Sequence, residues 1–196
     1  IISLIPKNNQ AAKFDISYAW MHGHYTANKS HYFYKLPYQR GSSYLVGQGF
    51  HGEKTHTGNM AYAIDWNMEE NTAIHASRSG YVVKIKEDSN VSGTKKEYLD
   101  KANFIKILHH DGTFAVYAHL KYNGVVVKEG QFVPQGKLIG YSGNTGYSNG
   151  PHLHFYVAKP QVEDATITEL TIPFKFVNCQ YNMAFIPQEM QTYKSC

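Results

Sequence analysis

Between about residues 47 and 160, apolar and polar positions follow one another in short alternating runs, without the spacing of an amphipathic helix. Segments 61–66 (AYAIDW), 72–85, 104–109 (FIKILH), 113–120 (TFAVYAHL), 125–127, 137–141 and 152–158 read as strands. Turn signals separate them: Asp111-Gly112, Asn123-Gly124, Glu129-Gly130 and the run SGNTGYSNGP over 142–151. Residues 87–102 form a polar insertion between two strands, and 170–177 is a further strand-like run. This regular spacing predicts an all-β fold, an antiparallel sheet or sandwich with few or no helices and irregular N- and C-terminal extensions.

The first extension, residues 1–46, is aromatic, with Tyr18, Trp20, Tyr25, Tyr32, Phe33 and Tyr34 ahead of the turn-prone Pro37-Tyr38-Gln39-Arg40-Gly41. No Pro/Ser-rich linker follows, so it is expected to pack on a core spanning 47–160 as short strands and loops, with 161–196 as a C-terminal extension. A chain of 196 residues that is 42% hydrophobic suits one domain. It has no apolar run long enough for a membrane-spanning helix. The net charge of +4 comes without a Lys/Arg cluster interleaved with stacking aromatics, which argues against a nucleic-acid partner and is compatible with a polyanionic envelope. A monomer is expected.

Two cysteines, Cys179 and Cys196, lie in the tail. A disulfide between them would add roughly 3 kcal/mol in an oxidising compartment; two unpaired thiols are the alternative. No charged-then-apolar secretion signal opens the sequence at Ile1, so a periplasmic or secreted protein would have lost one or used another export route.

Eleven histidines stand out in this composition, and position decides what each can do. In Gly150-Pro151-His152-Leu153-His154-Phe155, strand alternation puts His152 and His154 on one face and Leu153 and Phe155 in the core. Imidazoles ~7 Å apart along a strand can share a metal centre, one bound and one beside it. In Tyr117-Ala118-His119-Leu120, alternation groups His119 with Ala115 and Tyr117, which leaves a half-buried structural histidine as the plain alternative. Asp65 alternates with Ile64 and Trp66 and so faces away from them. A carboxylate inside an apolar strand is costly unless paired or metal-bound. His56, in the glycine-rich approach to that strand, can be brought beside it by a loop. Two histidines and one carboxylate form a common catalytic zinc set with an open fourth position for water.

His56 with Gly58, AYAIDW, YAHL and above all SGNTGYSNGPHLHF resemble the lysostaphin-type (LytM-like) zinc endopeptidases that act on bacterial peptidoglycan. The resemblance runs in order over roughly residues 36–160, through the LPY lead-in and VVVKEGQFVPQGKLIGYSGNTG. It implies a zinc ion, Zn2+, held by His56, Asp65 and His154, with His119 and His152 beside it as catalytic groups. It also implies hydrolysis of peptidoglycan peptide bonds by metal-activated water, with His152 favoured over His119 as general base because it lies two positions from the ligand His154. Many members place three residues between the first His and the Asp, whereas here Thr57 to Ile64 intervene, so His51 is the fallback ligand. A degenerate wall-binding or amidase-regulating module would lack some of these positions, and this chain keeps all of them. A secreted toxin-type hydrolase aimed at competitors shares the chemistry. The motif style resembles members acting on directly cross-linked walls. His75, His109 and His110 match no functional position.

Overall fold

In the computed structural model, which describes residues 20–27, 32–164, 166–178 and 183–196, the alternation becomes a nine-stranded sheet. Across it run Phe132–Val133, Gly80–Lys86, Phe104–Leu108, Phe114–Ala118, His152–Glu163, Ala63–Asn67, Ser43–Gln48 and Thr192–Lys194, with Thr166–Thr171 against the far half of His152–Glu163. These pairings are all antiparallel. Residues 72–85, which read as one strand, divide into Ala73–His75 and Gly80–Lys86. The first of these joins Leu138–Ser142 and Leu120–Val125 in a second, three-stranded sheet. Among the described residues the helical content is two short 3-10 turns, Gly58–Met60 and Lys96–Tyr98.

The main core lies between the two sheets. Ile74, Leu120 and Ile139 from the smaller sheet share one buried cluster with Val82, Ile105, Tyr117, Leu153 and Phe155 from the larger. Burying each large side chain contributes about 1.5–3 kcal/mol. Edge-to-face aromatic pairs add direction, with ring centroids 5.1 Å apart for Tyr117 and Phe155 and 5.4 Å for Phe155 and Phe174.

Both flanking segments contribute to this body. Phe33–Tyr34 pairs in parallel with Lys175–Asn178, and Tyr34 and Phe176 are fully buried. Thr192–Lys194 completes one edge of the large sheet, where Tyr38 Oη donates to the Tyr193 carbonyl at 2.7 Å. Trp20 and Tyr25 are exposed. Tyr18, His31 and Cys179 lie outside the described residues, and with Cys179 so does the expected pairing of Cys179 with Cys196.

The polar insertion at 87–102 has a structural task. Its Ser92–Gly93 pairs in parallel with Gly146–Tyr147, which brings it against the SGNTGYSNGP loop. Buried Asn103, just past the insertion, accepts from Ser89 N at 2.9 Å and donates to the carbonyls of Ser89 and Leu120 at 2.8 and 3.2 Å.

Candidate metal centre and catalytic groups

The central strand His152–Glu163 carries the site because its two neighbours meet it in a defined register. His154 lies directly opposite Asp65 on one side and Ala118 on the other. Ile64 and Trp66 on either side of Asp65 are fully buried in the main core, so the carboxylate emerges on the opposite face, beside His154.

One oxygen of Asp65 is the focus. His154 Nδ1 lies 2.7 Å from Asp65 Oδ1, His56 Nε2 3.2 Å and His152 Nε2 3.9 Å. One ligand atom from each of His56, Asp65 and His154 falls within 4.8 Å of the others. Burial by itself would raise the Asp65 pKa, but the imidazoles of His154 and His56 outweigh it and hold the carboxyl well below its usual range. For His56, burial pulls the pKa down and the Asp65 carboxylate outweighs that, leaving it raised.

The donor set fits a divalent metal. His56 Nδ1 donates to the Gly49 carbonyl at 2.7 Å, since a carbonyl can only accept. In the neutral ring Nε2 then carries a lone pair, and it is buried, without a hydrogen-bond partner and turned towards a carboxylate oxygen. Two electron-rich atoms 3.2 Å apart suit a cation shared between them, a proton on His56 in the metal-free site or a divalent metal ion in its place. The Gly49 contact also resembles the outer-shell hydrogen bond that commonly orients a metal-binding histidine.

His119 and His152 stand next to this group, with ring centroids 4.5 Å apart; His119 is 5.6 Å from the His154 ring. His119 Nδ1 donates to the Thr145 carbonyl at 2.6 Å and His152 Nδ1 to the Gly150 carbonyl at 2.8 Å. Both rings therefore keep Nε2 as a proton acceptor when neutral. Burial first, then the neighbouring histidines, pushes the His119 pKa down to about 3, and burial also lowers that of His152.

His119 corrects an expectation. Simple alternation groups it with Ala115 and Tyr117, yet those two are in the main core and His119 is on the site face. The reason is backbone conformation: His119 has φ of 61°, in the left-handed region, and interrupts the chain between Phe114–Ala118 and Leu120–Val125. This conformation costs a non-glycine residue about 1–2 kcal/mol. Contacts around it hold it there, with Thr145 Oγ1 donating to the Leu120 carbonyl at 2.8 Å and accepting from Asn103 N at 3.0 Å.

The other histidines are elsewhere. His51, the fallback ligand, is exposed, packs edge-on against Tyr62 and is not among the converging residues. His109 is buried, with Nδ1 donating to the Ser79 carbonyl at 3.0 Å, and His110 is exposed. Gln48, Asn103 and Thr145 were not singled out from the sequence; the cue for Gln48 was a polar residue between Gly47 and Gly49 on an otherwise apolar strand. Gln48, Asp65, His119, His152 and His154 open into a groove of about 1390 Å³, walled in part by Met60, Leu99, Phe104, Tyr147 and Tyr156. A groove of this size admits a peptide.

The model of peptidase family M23 matches residues 59–165, beginning just after His56. Lysostaphin from Staphylococcus simulans is 41% identical over 100 residues, 50% of this chain and 18% of lysostaphin. The peptidoglycan DD-endopeptidase ShyA from Vibrio cholerae is 34% identical over 91 residues, 46% of this chain and 18% of ShyA. This chain therefore spans less than a fifth of the length of either relative. Pseudoalterin, an M23 metalloprotease from the deep sea, superposes with a TM-score of 0.50 at 17% identity, over 85% of this chain and 96% of its own, a likeness of fold.

Proposed function

We propose, from the premise that the chain belongs to peptidase family M23, that it is a zinc-dependent endopeptidase cutting peptide bonds of bacterial peptidoglycan outside the cytoplasm. The observation that carries this reading is the convergence of His56, Asp65 and His154 within 4.8 Å, with the free Nε2 atoms of His119 and His152 alongside. In this reading His56, Asp65 and His154 hold the metal. Bound zinc would supply an acidified water and polarise the scissile carbonyl.

The rest is the work of side chains. His119 and His152 are neutral near pH 7 and present lone pairs to the site, so either can take a proton from the attacking water. His152 is the favoured base because its Nε2 lies 3.9 Å from Asp65 Oδ1, at the edge of the ligand group. A ring that has taken the proton becomes a donor towards the developing oxyanion or the leaving amine. The carbonyls of Thr145 and Gly150 fix the two rings before substrate arrives, which keeps reorganisation small.

The substrate class rests on family membership and on the relatives that act on peptidoglycan. Direct D-alanyl–diaminopimelate cross-links are the first bond to test, with glycine bridges and stem-peptide bonds as further arms. Purified peptidoglycan from a directly cross-linked wall and from a glycine-bridged wall is digested with the zinc-loaded protein, and the soluble fragments are identified by mass spectrometry. Peptide-bond fragments that disappear on chelation are expected; no fragment from either wall would overturn the reading.

A further inference from the structure

Gln48 occupies an unusual place for an uncharged residue. It ends the strand Ser43–Gln48, opposite Asp65, where the register with Ala63–Asn67 shifts between Val46 and Gln48. Gly47 fills the irregular position. A Cβ there would sit 2.2 Å from Asn67 Oδ1, so any larger residue would have to push the Asn67 side chain aside. Such a bulge re-aims the next side chain, and here it turns Gln48 towards the site.

The Gln48 amide is buried and uses its whole hydrogen-bonding capacity. Nε2 donates to Asp65 Oδ2 at 3.1 Å and to Thr55 Oγ1 at 2.7 Å. Oε1 accepts from the backbone N–H groups of Lys54 and Thr55 at 3.0 and 3.2 Å. Thr55 immediately precedes His56. A single side chain thus ties the second oxygen of Asp65, the one turned away from His154, to the loop that delivers His56. The loop is shaped around it, since a Cβ on Gly52 would lie 2.3 Å from Gln48 Cγ. The separate stretch from Thr57 to Ile64 lies between His56 and Asp65, so close connection along the chain does not by itself hold the two side chains together.

We infer that Gln48 is a positioning residue which clamps Asp65 and the His56 loop into one ligand geometry and thereby sets the affinity of the site for its metal. The inference rests on the proposed zinc site. An amide suits the task better than a carboxylate, because only an amide can donate to Asp65 while accepting from two backbone N–H groups. It also leaves the net charge at the site unchanged. Outer-shell partners of this kind typically change metal affinity by about 10–100-fold when removed.

The test uses the full chain and zinc alone. Gln48→Met keeps the volume and removes all four hydrogen bonds; Gly52→Ala keeps the glutamine and displaces it. Zinc affinity is measured by competition with a chromogenic chelator. Amide exchange at Lys54 and Thr55 is measured on the metal-free protein, so this arm does not depend on zinc. The expected result is zinc binding at least tenfold weaker in both variants, a wild-type circular dichroism spectrum, and faster exchange at Lys54 and Thr55 in Gln48→Met. Zinc affinity within threefold of wild type, or unchanged exchange, overturns the inference. So does failure of both variants to fold, which would assign the residues to the fold itself. Absence of zinc binding by the wild type would instead sink the proposed function, and the exchange arm would still report on the clamp.

Discussion

The two faces of the strand His152–Glu163 share one backbone ladder and are held by different physics. On one face Leu153, Phe155 and Val157 are fully buried among Tyr34, Tyr117, Phe174 and Phe176. On the other, His152 and His154 sit beside a carboxylate in a groove open to solvent, with Tyr156 next along. The apolar face is stabilised by area removed from water and tolerates small shifts in geometry. The polar face gains little from burial. Three of its four rings stay in place because Nδ1 is tied to a backbone carbonyl: Gly49 for His56, Thr145 for His119 and Gly150 for His152; the fourth, His154, is held by Asp65. Precision on the functional face is thus borrowed from loops, and stability comes from the face behind it.

The largest expected effect breaks only the polar face. Asp65→Ala should weaken zinc binding by more than ~100-fold, beyond the loss of an outer-shell partner, and bring peptidoglycan hydrolysis to background. His119→Ala should keep zinc and lose activity by roughly 10²–10⁴-fold, the range for a general acid–base group. Chelator competition and fragment release, measured on the same preparations, separate the two. Normal turnover by metal-loaded His119→Ala would remove that ring from the mechanism.

Next in size is an assault on the other face. Phe155→Ala should cost about 3–5 kcal/mol in urea unfolding and leave the zinc affinity of the folded protein within a few-fold of wild type. A large loss of affinity in the folded variant would mean that the two faces are not separable.

The histidines themselves sharpen the contrast, because His109 belongs to the body and not to the groove. Burial, with the Arg78 charge beside it, pushes its pKa down to about 4. The unfolded value is ~6.5, so the unfolded chain binds more protons between the two. The stability conferred by the neutral ring is therefore complete above pH ~6.5 and lost as pH falls towards about 4. Metal-free wild type should lose about 2–3 kcal/mol more than His109→Gln across that window, read from urea unfolding at several pH values. Parallel pH curves would contradict the depressed value. The smallest effect concerns the strained φ of His119. His119→Gly should be more stable than His119→Ala by about 1 kcal/mol in thermal unfolding, although both are inactive.

Much of this was legible in the chain. Period-two alternation announced the strands, and it placed Asp65 opposite Ile64 and Trp66 and His154 opposite Leu153 and Phe155, because a strand's two faces are a local property. It failed at His119, where one left-handed residue reverses the face, and it ran residues 72–85 together as one strand, where Ala76 to Ser79 leave one sheet for another. Gln48 carries only a faint mark, a polar residue between two glycines, because an amide has no preference that marks it as a clamp, and its partners come from a bulge, a loop and the neighbouring strand.

By itself, then, the sequence determined the strands, the apolar faces and the chemical kinds of side chain available, because these follow from steric period and transfer free energy along a short stretch of chain. Only the tertiary structure decided that His154 stands opposite Asp65, that the His56 loop closes on them, and that His119 turns to join. Register, backbone handedness and buried hydrogen bonds arise between segments far apart in the chain, and no local pattern records them.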